Sequence, residues 1–124
     1  MFRFEKQRIG RKHIHVVMDG FLTVSEVADF SQQEQKIAEE MGYRTGGFTL
    51  LIDTASIVIQ SQEVVSAFQS ILQNHRLKAS RIAVVRGSTL TRLQTLRILN
   101  GRNNAAIFDK LADAQSWLKD TQSA

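Results

Sequence analysis

Hydrophobic and polar residues alternate at the start of the chain. Phe2 and Phe4 point one way and Arg3 and Glu5 the other, the period of a half-buried strand. Ile14, Val16 and Met18 alternate with His13 and His15 in the same manner, and the polar stretch around Ile9-Gly10 predicts a turn between two antiparallel strands. Asp19-Gly20 ends the second strand. Thr23-Val24-Ser25-Glu26 then has the form of a capping box, in which a threonine hydroxyl and a glutamate satisfy each other's backbone N–H groups. Val24, Val27, Ile37, Ala38 and Met41 predict the inner face of a long first helix that is polar outside and stops at Gly42. The Gly46-Gly47 pair predicts a loop before the next strand.

Phe48-Thr49-Leu50-Leu51-Ile52 and Arg81-Ile82-Ala83-Val84-Val85 are nearly continuous apolar runs, as expected of strands buried on both faces of a sheet. Between them Val64, Val65, Phe68, Ile71, Leu72 and His75 follow helical spacing, with Ser61 as the N-cap. Leu90, Leu93, Leu96, Ile98 and Leu99 predict the inner face of a third helix ended by Asn100-Gly101. Ala105–Phe108 predicts a last strand, and Asp109 is expected to cap a final helix buried through Leu111, Ala114, Trp117 and Leu118. The order β-β-α-β-α-β-α-β-α implies right-handed crossovers and a mostly parallel sheet with an antiparallel hairpin at its edge.

Composition narrows the class. The chain has 124 residues with 43% hydrophobic and 23% charged positions, no proline and no cysteine. One domain over residues 1–124 is expected, since no linker-like stretch or repeat interrupts it. The absence of cysteine excludes a disulfide scaffold and a thiolate site, and fits a reducing compartment. No stretch approaches the ~20 apolar residues of a membrane span, and a cytoplasmic location is expected.

Three segments carry a resemblance. They are Val17-Met18-Asp19-Gly20-Phe21-Leu22-Thr23, the strand Leu50-Leu51-Ile52-Asp53, and the ending Ala106-Ile107-Phe108-Asp109-Lys110-Leu111-Ala112-Asp113-Ala114-Gln115-Ser116-Trp117-Leu118. Together with the element order they resemble the bacterial SpoIIAA-like branch of the STAS superfamily (STAS/SEC14-type). The resemblance implies an α/β fold with a central, mostly parallel sheet of about five strands, an N-terminal antiparallel hairpin and four helices. Anti-sigma-factor antagonists of that superfamily carry an Asp-Ser-Ser-Gly-like segment, one serine of which is phosphorylated, after the central strand. The equivalent stretch here is Ser61-Gln62-Glu63-Val64, with Gln62 near the acceptor position and no glycine. The resemblance therefore implies a non-enzymatic regulatory or protein-interaction module that lacks the usual phospho-acceptor serine motif.

Candidate chemistry is sparse. His13 and His15 share a strand face, but a metal site needs a third ligand, and His75 lies on another element; no metal and no cofactor are expected. No nucleophile elbow or metalloprotease signature is present. Val85-Arg86-Gly87-Ser88-Thr89 lies where open α/β sheets place ligands, at a strand's carboxyl end before a helix N-terminus. Arg86, Gly87, Ser88 and Thr89, with Asp53 leaving the neighbouring strand, form the candidate site for a small anionic or lipid ligand. The competing reading is a simple turn in which Ser88 caps the helix. Asp53 is expected either to pair with Arg86 or to wall a pocket.

Charge changes the picture most. The net charge of +4 conceals a segregation: residues 19–63 carry eight acidic and two basic residues, whereas residues 64–108 carry seven basic and no acidic ones. Such a basic segment suits an acidic protein partner, a second copy of the chain or an anionic lipid surface. Nucleic acid ranks last, because Phe68 and the terminal Phe108 are the segment's sole aromatics. Arg92 and Arg97 are the candidate interaction residues, expected to face solvent if the Leu90/Leu93/Leu96 row turns inward.

Overall fold

The computed structural model describes residues 1–5, 12–100 and 102–122. Its elements follow the expected order: β1 (Phe2–Phe4), β2 (His13–Gly20), α1 (Val24–Glu40), β3 (Thr49–Ile57), α2 (Gln62–Asn74), β4 (Arg81–Val85), α3 (Thr89–Ile98), β5 (Ala105–Phe108) and α4 (Leu111–Gln122). The five strands form one sheet in sequential order, β1 antiparallel to β2 and the others parallel. The predicted turn at Ile9-Gly10 and the stop at Gly101 lie outside the described residues.

Sequential order has a consequence. Crossovers of one hand between successive parallel neighbours put every crossover helix on the same face. Accordingly α1, α2 and α3 share one core with Ile14, Val16, Met18, Leu50, Ile52, Ile82 and Val84, while α4 alone covers Leu51, Ala83 and Val85 on the other side. This explains why β3 and β4 are apolar without alternation, since helices cover both of their faces. β3 runs on to Ile57, five residues past the predicted apolar run, and its register with β2 shifts between Val17 and Asp19. The shift leaves one extra residue on β3, between Asp53 and Ser56, as in a β-bulge.

The helix termini follow local chemistry. Glu26 N–H donates to Thr23 Oγ1 at 3.1 Å and Thr23 N–H to Glu26 Oε1 at 3.2 Å, closing the capping box. Ser61 and Ser88 accept from Val64 and Thr91 N–H at the heads of α2 and α3. Gly42, at φ 73°, follows α1 in the left-handed conformation that closes its carboxyl end. Asp109 does not cap α4: that helix starts two residues later, and the carboxylate faces Arg86 instead.

Two expectations about burial are overturned. Val24 and Met41 at the ends of α1 are 46% and 52% exposed. In their place Phe30 fills the α1 core position, stacked on Phe4 at 6.0 Å. Glu34, at helical spacing from Val27 and Ala38, shares their inner face despite its carboxyl and is buried at 1% exposure. Most consequentially, Leu90, Leu93 and Leu96 face solvent at 57%, 52% and 43% exposure, and the inner side of α3 is Thr91, Gln94, Thr95, Ile98 and Leu99.

The expected aromatic anchors are in place. Phe68 is 8% exposed with its ring 6.2 Å from Phe30, and Trp117 lies against Phe108 at 5.5 Å beneath the Arg81 guanidinium. Phe68→Ala removes a side chain shared by α1, α2 and the sheet, and should cost about 3 kcal/mol. Chemical denaturation checks this, and an unchanged midpoint would show that Phe68 is not a core anchor.

Candidate functional site

The carboxyl edge of the sheet collects the loops β2–α1, β3–α2 and β4–α3, and one buried side chain joins the first two. Gln60 Oε1 accepts from Leu22 N–H at 2.8 Å, while Gln60 Nε2 donates to Gly20 O at 2.9 Å and Val58 O at 2.6 Å. The peptide groups of Gln60 are held in turn by α3. Gln60 N–H donates to Gln94 Oε1 and Gln94 Nε2 donates to Gln60 O, both at 2.8 Å. Buried backbone groups left unpaired cost on the order of 1–3 kcal/mol each, so this amide has a fixed direction to face. Holding Gln94 inward turns the leucine row of α3 outward.

Gly87 brings the β4–α3 turn close. A Cβ there would lie 2.8 Å from Thr91 Oγ1 and 2.9 Å from Thr54 O, distances no side chain tolerates without a shift. Thr54 Oγ1 donates to Val85 O at 2.6 Å, tying the same turn to β3. The candidate residues Arg86, Gly87, Ser88 and Thr89 are therefore together, but their polar groups have internal uses. Arg86 meets Asp109 at 3.6 Å, Gly87 O at 3.3 Å and Thr89 Oγ1 at 3.4 Å. Of the two expectations for Asp53, the ion pair with Arg86 is made by Asp109 instead, and Asp53 is not among the residues that line the cavity beneath α3; its Oδ1 accepts from Ala55 N–H at 3.0 Å.

Beneath α3 lies a partly open cavity of about 60 Å³. Met18, Ile52, Val65, Phe68, Leu72 and Val84 form its apolar floor and wall, with Thr91, Gln94 and Thr95 on the α3 side. It was not legible in the sequence, because the spacing predicts leucines filling this space.

Above it, α3 presents Leu90, Leu93 and Leu96 together with Arg92 and Arg97. Arg97 is exposed, as expected, and Arg92 is half-buried. Neither has a carboxylate within ion-pair distance among the described residues; the Arg97 guanidinium reaches only Gln62 Oε1, at 3.5 Å. Elsewhere the charges are locally matched, as in Arg76–Glu39 at 2.9 Å and Lys36–Glu40 at 3.9 Å.

At the opposite edge a buried polar cluster joins α1 to the segment after α2. His75 Nε2 lies 3.1 Å from Ser31 Oγ and its Nδ1 3.8 Å from Glu34 Oε2, which accepts from Gln35 Nε2. The order serine–histidine–glutamate has the outline of a hydrolytic triad. Ser31, however, sits inside α1, whose backbone N–H groups are committed to the helix and cannot form an oxyanion hole. Burial pushes the Glu34 carboxyl up to about 7 against the Gln35 hydrogen bond. Burial, then Arg102 and Lys78, push the His75 imidazole down to about 4. A base this weak is poorly matched to a serine. Although the two groups lie within ion-pair distance, desolvation dominates both and the contact is too long for a hydrogen bond, so in mildly acid solution they are a neutral carboxyl beside a neutral imidazole.

His13 and His15 are 6.3 Å apart on the face of β2 away from α1. His13 Nδ1 lies 2.8 Å from Thr49 Oγ1, and His15 Nε2 is buried with no hydrogen-bond partner among the described residues. Burial lowers the His15 pKa, opposed by Glu5 and Asp53. No group of three or more metal-ligating side chains occurs among the described residues.

No family model matches the chain, and no curated protein is similar to it. Solved structures do match. A crystal structure of an uncharacterized protein from the DUF3478 family with a SpoIIAA-like fold, from Shewanella loihica PV-4, aligns with a TM-score of 0.72 at 17% identity, over 94% of this chain and 93% of that one. An anti-sigma factor antagonist from Mycobacterium paratuberculosis gives 0.61 at 10% identity over 97% and 96% of the two chains. The anti-sigma factor antagonist SpoIIAA in its unphosphorylated form gives 0.63 at 10% identity over 97% of each. The chain has the SpoIIAA-like fold implied by its sequence resemblance. No described helix is long and apolar enough to cross a membrane.

The buried pair has a readable pH signature. Between about pH 4.5 and 6.5 the folded pair holds one proton, on Glu34, and the unfolded pair also holds one, on His75. Their contributions to the pH dependence of stability therefore nearly cancel. Glu34→Gln leaves His75, whose lowered pKa makes stability rise as pH climbs from 4 to 6.5. His75→Gln leaves Glu34, whose raised pKa makes stability fall as pH climbs from 4.5 to 7. Denaturation midpoints across this range should show opposite changes of slope in the two variants; parallel curves for both variants and the parent would refute the assignment.

Proposed function

We propose that the chain is a non-enzymatic regulatory module that works by binding another protein, in the manner the STAS/SpoIIAA-like resemblance implies. The observation that carries this reading is the outward face of α3, where three large apolar side chains stand in solvent beside Arg92 and Arg97, which have no carboxylate within ion-pair distance among the described residues. Exposed apolar groups in a row mark interaction surfaces more than singly scattered ones do. Two of the structural neighbours are anti-sigma factor antagonists, proteins named for a regulatory role. The Ser61 hydroxyl serves as the α2 cap, and Gln62 stands near the place of the phospho-acceptor, so the proposed module works without the sporulation-type phosphoserine switch. Photo-crosslinkers placed one at a time on the exposed positions of each helix in living cells test this reading. One discrete protein, captured stoichiometrically and competed by untagged chain, is expected. Absence of protein adducts from every face would refute it.

A second reading is favoured by the cavity. Thr54 and Thr91 line the cavity, and Gly87 of the candidate anion turn packs closely against both, so an amphiphile could set an acidic head near Arg86–Thr89 and an apolar tail against Val84 and Phe68. A fluorescent fatty acid is a suitable probe. Saturable binding that is lost on filling the space with Val84→Trp and weakened by Arg86→Gln is expected under this reading, and no saturable binding to the parent chain would dismiss it.

A further inference from the structure

We propose that α3 is a docking ridge for an acidic amphipathic helix of another protein, with Leu90, Leu93 and Leu96 seated between its apolar side chains and Arg92 and Arg97 facing its carboxylates. The inference rests on the interaction-module reading and adds to it the surface and the partner's chemistry. Positions i, i+3 and i+6 form one continuous row along a helix, the pattern by which helices pack into one another's grooves.

The row is held outward and does not wait to turn in. Gln94 is clamped on the Gln60 backbone, Thr91 is buried at 3% exposure, and Gln69 Nε2 donates to Arg97 O at 3.1 Å. Rotating α3 to bury its leucines would break all three. The charge beside the row is of one sign. α3 contains no acidic residue, and neither does any of residues 64–108. A partner with carboxylates flanking its apolar row meets both features at once.

Other occupants fit less well. Two copies joined α3 to α3 would bring four arginines together with no carboxylate from either helix to meet them. A second copy's α1 supplies acid, but Val24 and Ala28, in its first turns, are the apolar side chains it exposes, with Ser25, Gln32 and Lys36 beyond them, too short a row for three leucines.

The probe is a synthetic amphipathic helix of about four turns with leucines at i, i+3, i+4 and i+7 and glutamates flanking them. A lysine-for-glutamate version and mixed phosphatidylglycerol–phosphatidylcholine vesicles accompany it. Saturable binding of the acidic peptide is expected, weakened at least tenfold by Arg92→Glu with Arg97→Glu, and at least tenfold by Leu93→Asn. The charge-reversed chain should regain affinity for the lysine peptide. Amide shifts should centre on α3, and parent-like denaturation midpoints should show both variants folded. No saturable binding, equal affinity for both peptides with the parent chain, or indifference to Leu93→Asn would overturn the proposal. Vesicle binding by the parent chain that depends on the same side chains would assign the face to a membrane and equally overturn it. Cellular crosslinks from a face other than α3 would overturn this inference while leaving the interaction module standing.

Discussion

The reciprocal amide contact between Gln60 and Gln94 decides more of this structure than any single apolar contact. The chain must turn from the end of β3 into α2 at a point where two other loops converge, and the peptide groups there lie away from water. Gln94 satisfies both the N–H and the C=O of Gln60, and the Gln60 side chain satisfies a further three backbone groups in two loops. Amide side chains suit this because each offers a donor and an acceptor in the spacing of a peptide group. The cost falls on α3, which must direct a polar residue inward and keep three leucines out.

The same device recurs at the other edge. Gln35 Nε2 donates to Leu77 O and Leu77 N–H donates to Gln35 Oε1, each at 2.8 Å, so α1 fixes the segment entering β4 as α3 fixes the one leaving β3. Around that second clamp are the Ser31 hydroxyl and two groups that burial keeps neutral, Glu34 and His75. A charged pair there would need hydrogen bonds for every remaining lone pair and proton, and the cluster supplies only a few. Both edges of the helical face are thus fastened by polar contacts of defined geometry, while Phe4, Phe30 and Phe68 supply the apolar mass between them.

This division explains what was legible in the sequence. Strands β3 and β4 are visible because burial on both faces leaves no polar positions, and caps are visible because Thr23, Ser61 and Ser88 act on residues three further along. The topology follows from the alternation of elements and the constant hand of crossovers. Side-chain direction on α3 is a different matter. A period reports that a helix has an apolar stripe, and says nothing of which way the stripe faces when a partner 34 residues away claims another side of it. Glu34 and His75 were hidden for the same reason: each is ordinary in its local context, and only packing of α1 on α2 joins them. Arg86 likewise found Asp109, across the β4–β5 pair, rather than the carboxylate on β3.

The segregated charge also follows from topology. With strands in sequential order and three crossover helices on one face, α1 and α3 both pack on α2, which lies between them. The acidic residues of α1 therefore find partners close by, Glu39 with Arg76 and Glu40 with Lys36, and do not reach the arginines of α3. At physiological salt the Debye length is roughly 8 Å, less than the breadth of an intervening helix with its side chains, so attraction across α2 is largely screened. The positive field of α3 is consequently directed at solvent and not spent within the chain. A sequence in which acidic and basic stretches nearly balance thus folds into a molecule whose helical face is acidic at one side and basic at the other, with its one exposed leucine row on the basic side.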